Sequence, residues 1–311
     1  MDASIFTSVV ACEQIADRRV RELDNPGQQI CHILTRVMKP FLHELRGLKT
    51  RRGATKDICR RICKNLIEEE SVVQIVASSL HQGFSTKEAH EIRCIMVASK
   101  EKEKSFEFFA ITVTIDRKKT TVDVVSTDFE VHRHALLRFM QREQKGPKEF
   151  FNIAVESMQV ANVLAPVICD MSNHNIALPA ADALMLGKIE VSSFIVAPLG
   201  FRMTFGNTKP EFTDIRRSSI TENHVITRIL TYVDRDGMTR PREQLHTKLC
   251  SFVDTHAETI ETVFGRSVFN GLPGEEEPLH SCFEDAITLL GGPEWKQFLQ
   301  TARGGVHATL D

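Results

Sequence analysis

The chain has one tryptophan and one tyrosine in 311 residues, beside 19 phenylalanines. Reading single-stranded nucleic acid on aromatic platforms takes several exposed rings, so that mode is set aside. Excess charge is also missing. The formal net charge is -2, so contact with nucleic acid has to come from local basic patches and not from a polycationic whole. No GxxxxGK(S/T), GxGxxG, HExxH or GxSxG is present, which argues against P-loop NTPases, dinucleotide enzymes, zinc proteases and α/β-hydrolases. The eight cysteines are scattered and form no CxxC. A reducing, cytoplasmic setting is the simplest expectation. Cys59 and Cys63 stand four apart on an expected helix, but no second ligand pair accompanies them, so no metal or other cofactor is expected. The first residues, MDASIFTSVVACEQ, lack the basic start and long apolar core of a signal peptide. No run approaches the roughly 18 apolar residues of a membrane span, so no membrane is expected as a partner.

What remains is ordinary globular composition, 42% hydrophobic and 26% charged. The length allows two domains or one large one. The expected fold is α+β: a helical N-terminal portion followed by an antiparallel sheet with packing helices. The expected divisions are a helical N-terminal region over 1–100, an α+β central domain over 101–250 and a helical C-terminal region over 251–311. Helical spacing runs through Ser4–Leu23, then Gln28–Leu48 with a kink or division at Pro40, then Thr55–Glu69. Ser85 and Glu88 fit a capping box that would open a helix through Ala89, Ile92 and 95–98. Phe106–Ile115 and Thr120–Val125 read as a hairpin. A packing helix follows over Lys148–Val167, ending at Pro166. Residues 170–182 read as loop. Strands are expected over Ala183–Glu190, Ser193–Leu199, Phe201–Phe205 and Val225–Val233, with turns and loop over Asn207–Ser219. Pro241–Phe264, Glu284–Leu290 and Glu294–Ala302 read as helices around a GLPGEEEP loop, and Gly304–Asp311 as a loose tail.

The central stretch carries the chemistry. After the hairpin, Ser126, Thr127 and Asp128 offer N-cap oxygens for a helix. At about 100° per residue, His134, Arg138, Gln141, Arg142 and Lys145 share an arc of roughly 100°, opposite Leu136, Phe139 and Met140. His132 falls on the apolar side if the helix already includes it. An imidazole moves protons near neutral pH, and guanidiniums grip phosphate oxygens bidentately. In the strand His224–Val233, alternation puts Arg228 and Tyr232 on one face. A metal-independent ribonuclease needs a base, an acid and cations for the phosphorane, and His134, Arg138, Arg142, Arg228 and Tyr232 are the candidates. The ordinary alternative is a solvated basic helix face with Arg228 in a structural ion pair. A second basic run, Arg46 to Lys64, holds Arg51, Arg52, Lys56, Arg60, Arg61 and Lys64 as candidate phosphate contacts, or as a solvated face toward an acidic protein.

The segment VHRHALLRFMQR (131–142) resembles the helix of RelE/barnase-like nuclease toxins, and HVITRILTYV (224–233) is similar to their later strand. The resemblance covers about a dozen residues and a loose strand order. Around 80 residues separate the helix from that strand, more than a compact toxin has, and the N- and C-terminal helices have no counterpart. It implies His134 as acid or base, Arg138 and Arg142 as phosphate clamps, and Arg228 and Tyr232 as supporting groups. It also implies RNA as substrate and a protein or ribonucleoprotein partner that restrains the effector, as in toxin–antitoxin or phage-defence modules. The rival expectation is a non-enzymatic regulatory protein that holds nucleic acid or an acidic partner on the basic run. A third is an enzyme acting on nucleotides or another phosphorylated small molecule.

Overall fold

The computed structural model describes residues 26–41, 43–44, 54–81, 88–100, 103–115, 120–169, 174–192, 200–205, 210–215, 224–269 and 277–305. The expected helix over Ser4–Leu23, the expected strand over Ser193–Leu199, and the candidates Arg51 and Arg52 lie outside them.

Pro26 opens α1 (Pro26–Met38), where its missing N–H costs nothing. Pro40 then tightens the chain into a 3-10 turn, Lys39–Phe41. Helix α2 (Ala54–Glu68) follows. The next two elements correct the expected helical N-terminal portion. Residues Val72–His81 form β1, and Glu88–Lys100 form β2 instead of a capped helix. Strand β2 buries both faces: Ile92, Cys94, Met96 and Ala98 enter one core and Ile95 and Val97 another. A strand covered on both sides has a continuous apolar run, which periodicity alone does not separate from a buried helix.

Strands β3 (Ser105–Ile115) and β4 (Thr120–His132) form the expected hairpin. Strand β4 runs seven residues past its expected end at Val125, because two residue steps on β3, Glu107 to Phe109, face four on β4, Ser126 to Glu130. Asp128 takes φ 56° within that bulge. Ser126 Oγ donates to Glu107 at 2.7 Å, and Thr127 Oγ1 donates to the Phe108 carbonyl at 2.9 Å. The hydroxyls expected to cap a helix therefore tie down a strand irregularity.

Beyond the bulge come α3 (Arg133–Glu143) and α4 (Pro147–Cys169). Then follow β5 (Asn175–Ala180), expected as loop, and β6 (Ala183–Ser192), β7 (Gly200–Phe205), β8 (Pro210–Ile215), also expected as loop, and β9 (His224–Val233). Helices α5 (Arg240–Phe269), α6 (Glu277–Gly291) and α7 (Pro293–Gly305) close the chain.

The nine strands make one forked sheet, and it is mixed instead of antiparallel. The order β1-β2-β3-β4 is antiparallel throughout. On its far edge, β4 pairs antiparallel with β7 over Thr120–Val125 and parallel with β9 over Phe129–Val131. One branch ends in β8, and the other continues through β6 to β5. The expected boundary near residue 100 falls inside this sheet, since β2 and β3 pair in unbroken register from His90↔Ile115 to Lys100↔Ser105. That near 250 falls inside α5.

Two cores occupy the two faces. Helices α1 and α2 lie on one with Ile111, Val113, Val122 and Met203. Helices α3 to α7 lie on the other with Phe106, Phe108, Phe129 and Ile229. Helix α4 is the centre of the second core. It does not stop at Pro166 but continues to Cys169, and it buries Phe150, Phe151, Met158 and Leu164 among others. Among the described residues it is one helix long and apolar enough to cross a membrane, contrary to the expectation that no such run exists. Most of that stretch is buried inside the protein, as a helix apolar all round is when it serves as a core.

Candidate functional site

Helix α3 begins where β4 ends, and His132 is the joint. Its backbone is extended (φ -70°, ψ 144°), and its Nδ1 accepts from the His134 N–H at 3.2 Å, so an imidazole caps the helix. Accepting at Nδ1 requires the neutral ring. Burial lowers the His132 pKa below the usual histidine value, and nearby His134, Lys104, Arg133 and Arg228 lower it further.

One turn on, Arg138 Nε donates to His134 Nε2 at 3.5 Å. Both side chains are half-buried. Burial first, and Arg138 second, hold the His134 pKa below its ordinary value. The other side of α3 is apolar, with Ala135, Leu136, Phe139 and Met140 buried as the helical arc required. The site therefore holds two adjacent imidazoles, both biased to the neutral form, and a guanidinium pointing along the helix.

The remaining candidates are engaged elsewhere. Arg142 is half-exposed, with Nε 3.9 Å from Asp234 Oδ1. Lys145 lies past the helix end, beyond the left-handed Gln144, and reaches Glu143 at 3.7 Å.

Arg228 and Tyr232 do not share a face. Leu186 pairs with Thr231 while Gly187 pairs with Ile229, so Leu230 is an extra residue and the alternation changes phase there. A Cβ on Gly187 would stand 2.2 Å from the Arg228 carbonyl oxygen, which reserves that place beside the bulge for glycine. Tyr232 turns into the core, edge-on to Phe139 at 5.4 Å, and donates to Glu143 at 3.0 Å. Burial, then the Glu143 carboxylate, push its pKa well above the usual phenol range.

Arg228 faces the other way, into a cluster of carboxylates. It reaches Glu130 at 3.0 Å, Glu190 at 2.9 Å and Glu103 at 3.8 Å. Burial acts to lower its pKa, but those carboxylates outweigh burial and raise it. Lys100 is the second cation there, paired with Glu130, with Glu107 at 3.2 Å and with Glu103 at 3.8 Å. Glu130 is almost wholly buried. Arg228 is thus the counter-ion of a buried acid, the structural ion pair that the sequence offered as the ordinary alternative.

On α2 the basic run resolves into two sets. Arg61 is bound bidentately by Glu44 and covers the Phe41 ring at 5.4 Å. Lys56, Arg60 and Lys64 recur every four residues on the exposed side, and Arg60 also reaches Asp57 at 3.5 Å. On its buried side, Cys59 hydrogen-bonds the Cys63 sulfur. That contact pulls the Cys63 thiol down to about 7 against the opposing effect of burial, and it pushes Cys59 up. No group of three or more metal-ligating side chains stands together among the described residues.

Sequence reasoning missed the role of His132, because it fixed the helix start at the serine and aspartate before it. It also missed the acidic cluster, whose members stand far apart in the chain. No protein-family model, curated protein or solved structure matches this chain.

Proposed function

We propose that this chain is a toxin-like, metal-independent nuclease acting on RNA, with His134 as the proton-transferring group and Arg138 as the phosphate-contacting cation. The observation that supports the reading is the His134–Arg138 contact on a half-buried helix face beside His132. A phosphate entering there exchanges the long Arg138–His134 contact for bidentate guanidinium–phosphate bonds. Freed of Arg138, His134 Nε2 takes the proton from a ribose 2′-hydroxyl. The 2′-oxygen forms its bond to phosphorus and the P–O5′ bond breaks. The 5′-oxygen leaves with a proton from water, the hydroxide left behind takes the proton from His134 Nε2, and the products are a 2′,3′-cyclic phosphate and a 5′-hydroxyl. His132 is a positioning residue, holding the start of the helix through its cap. Arg142, half-exposed one turn further on, extends the cationic face. Arg228 and Tyr232 support the fold around it. A protein or ribonucleoprotein partner that restrains the activity, and a cytoplasmic location, are part of the same proposal.

The test is end-labelled RNA incubated with the purified chain in excess chelator, wild type beside His134→Ala and Arg138→Ala, with folding checked by circular dichroism. Cleavage by the wild type that is lost in folded variants supports the site. No cleavage by the wild type, or cleavage indifferent to both substitutions, overturns it.

The exposed Lys56, Arg60 and Lys64 stripe supports a second reading, a binding protein that grips RNA or an acidic partner through α2. In that case a Lys56→Glu, Lys64→Glu double substitution weakens RNA binding and reduces its salt dependence, while His134→Ala leaves both unchanged.

A further inference from the structure

A cleft of about 430 Å³ opens beyond the C-terminal end of α3, lined by Asp182, Arg235, Met238, Glu243, His246 and Thr247. Small-ligand sites run from roughly 300 to 1,000 Å³, so one metabolite fits. Three separate pieces of backbone build it: the β5–β6 turn, the 3-10 turn Arg235–Gly237, and the first two turns of α5.

The turn is the two-residue loop of the β5–β6 hairpin. Ala181 takes φ 55°, a left-handed conformation that disfavours a side chain bearing Cβ. His246 Nε2 donates to its carbonyl oxygen at 2.9 Å, fixing Asp182, the next residue, at the rim. A positive φ at the first loop residue is the ordinary geometry of a two-residue hairpin, here closed by Ala180 and Ala183.

The wall chemistry limits the occupant. Among the described residues Asp182, Arg235 and Glu243 have no ion-pair partner, whereas the carboxylates beside Arg228 are all paired. Thr247 spends its hydroxyl proton on the Glu243 carbonyl at 2.9 Å, which leaves its oxygen as an acceptor. The Cys250 sulfur lies 3.4 Å from His246 Nε2 and 3.9 Å from Nδ1. Acceptors thus outnumber donors, and two carboxylates against one guanidinium give the cleft a formal charge of -1. The complement is a small molecule with two cationic groups and one anionic group.

We infer that this cleft binds a cationic amino acid of the ornithine, lysine or arginine type. The ligand's carboxylate pairs with Arg235, and its two cationic groups lie on Asp182 and Glu243. This inference does not depend on the nuclease reading, and its test contains no RNA.

The test is calorimetric titration of the full chain with L-ornithine, L-lysine and L-arginine, with putrescine and L-glutamate as controls. Putrescine is ornithine without the carboxylate, so the pair isolates the Arg235 contact. Saturable binding of at least one cationic amino acid is expected, weakened about tenfold by Asp182→Asn or Glu243→Gln. Putrescine binds the wild type about tenfold more weakly than ornithine, and the difference disappears in Arg235→Gln. Absence of saturation by all three amino acids at about 10 mM overturns the inference. So does glutamate binding as tightly as ornithine, or affinity unchanged in both carboxylate variants.

Discussion

Glu130 and Arg228 stand opposite each other where β4 and β9 pair in parallel, with Arg228 Nε 3.0 Å from the Glu130 carboxylate. The pairing joins residues 98 positions apart, at the fork of the sheet. A buried carboxylate is tolerated only when its charge is compensated, and Lys100 supplies the rest of the compensation. Removing Arg228 leaves Glu130 short of a partner. Arg228→Met is expected to lower the unfolding free energy by about 3 kcal/mol, measured by urea denaturation at neutral pH. Adding Glu130→Gln to that variant should restore part of the loss. An unchanged midpoint in Arg228→Met would show that the pair does not hold the fork together.

The pH dependence of RNA cleavage follows from His134. A base works only unprotonated, and burial with Arg138 lowers this pKa. The acid limb of the rate profile is therefore expected to reach half-maximum below pH 6.5, the ordinary histidine value. Arg138→Gln, which removes the neighbouring charge, should move that half-maximum upward. His134→Ala should reduce the maximal rate by roughly a hundredfold or more. A limb centred well above 6.5 would remove His134 from the role of base.

Stability should respond to acid through the same pair. Both His132 and His134 have folded-state pKa values below the unfolded one, so between those values the unfolded chain binds more protons. The contribution of the neutral rings is intact above about pH 6.5 and is lost as pH falls from there through the folded pKa values. Protonation at Nδ1 also removes the His132 cap. Melting temperature is expected to fall between pH 7 and pH 5, and to fall less in His132→Asn, which caps without titrating. An equal fall in that variant would exclude His132 as a source.

Cys63 is expected to be the first of the described cysteines to alkylate. Its pKa is drawn down to about 7 by the Cys59 thiol, while burial raises Cys31, Cys94, Cys250 and Cys282. Site-resolved iodoacetamide labelling should show a Cys63 rate that rises with a midpoint near pH 7. Cys59→Ala should move the midpoint toward about 8.5, the free thiol value. If Cys250 or Cys31 labels first, the sulfur–sulfur contact does not control reactivity.

The hairpin, the core side of α3 and the buried α4 were legible because each depends on local spacing. Leu136, Phe139 and Met140 had to share a side of any helix that contained them, and they do. Strand β2 was not legible, since its apolar run suits any buried element and a plausible capping box lay just upstream. Strands β5 and β8 read as loop because six-residue strands bounded by polar residues carry little pattern of their own. The pairing of Arg228 with Tyr232 failed for a different reason. Simple alternation was sound up to Ile229, and one extra residue at Leu230 reversed it. Bulges are set by the partner strand, here by the space beside Gly187.

What the sequence determined by itself was chemistry and local periodicity: the basic side of one helix, the histidine and arginine one turn apart on it, the apolar face behind them and the basic run on α2. Tertiary structure decided which of those charges are available. Whether a guanidinium meets solvent or a carboxylate depends on residues brought from other parts of the chain, as Glu103, Glu130 and Glu190 are brought to Arg228. That outcome is fixed by sheet order and register, which follow from burying two cores at once and are not written in the spacing of any one segment.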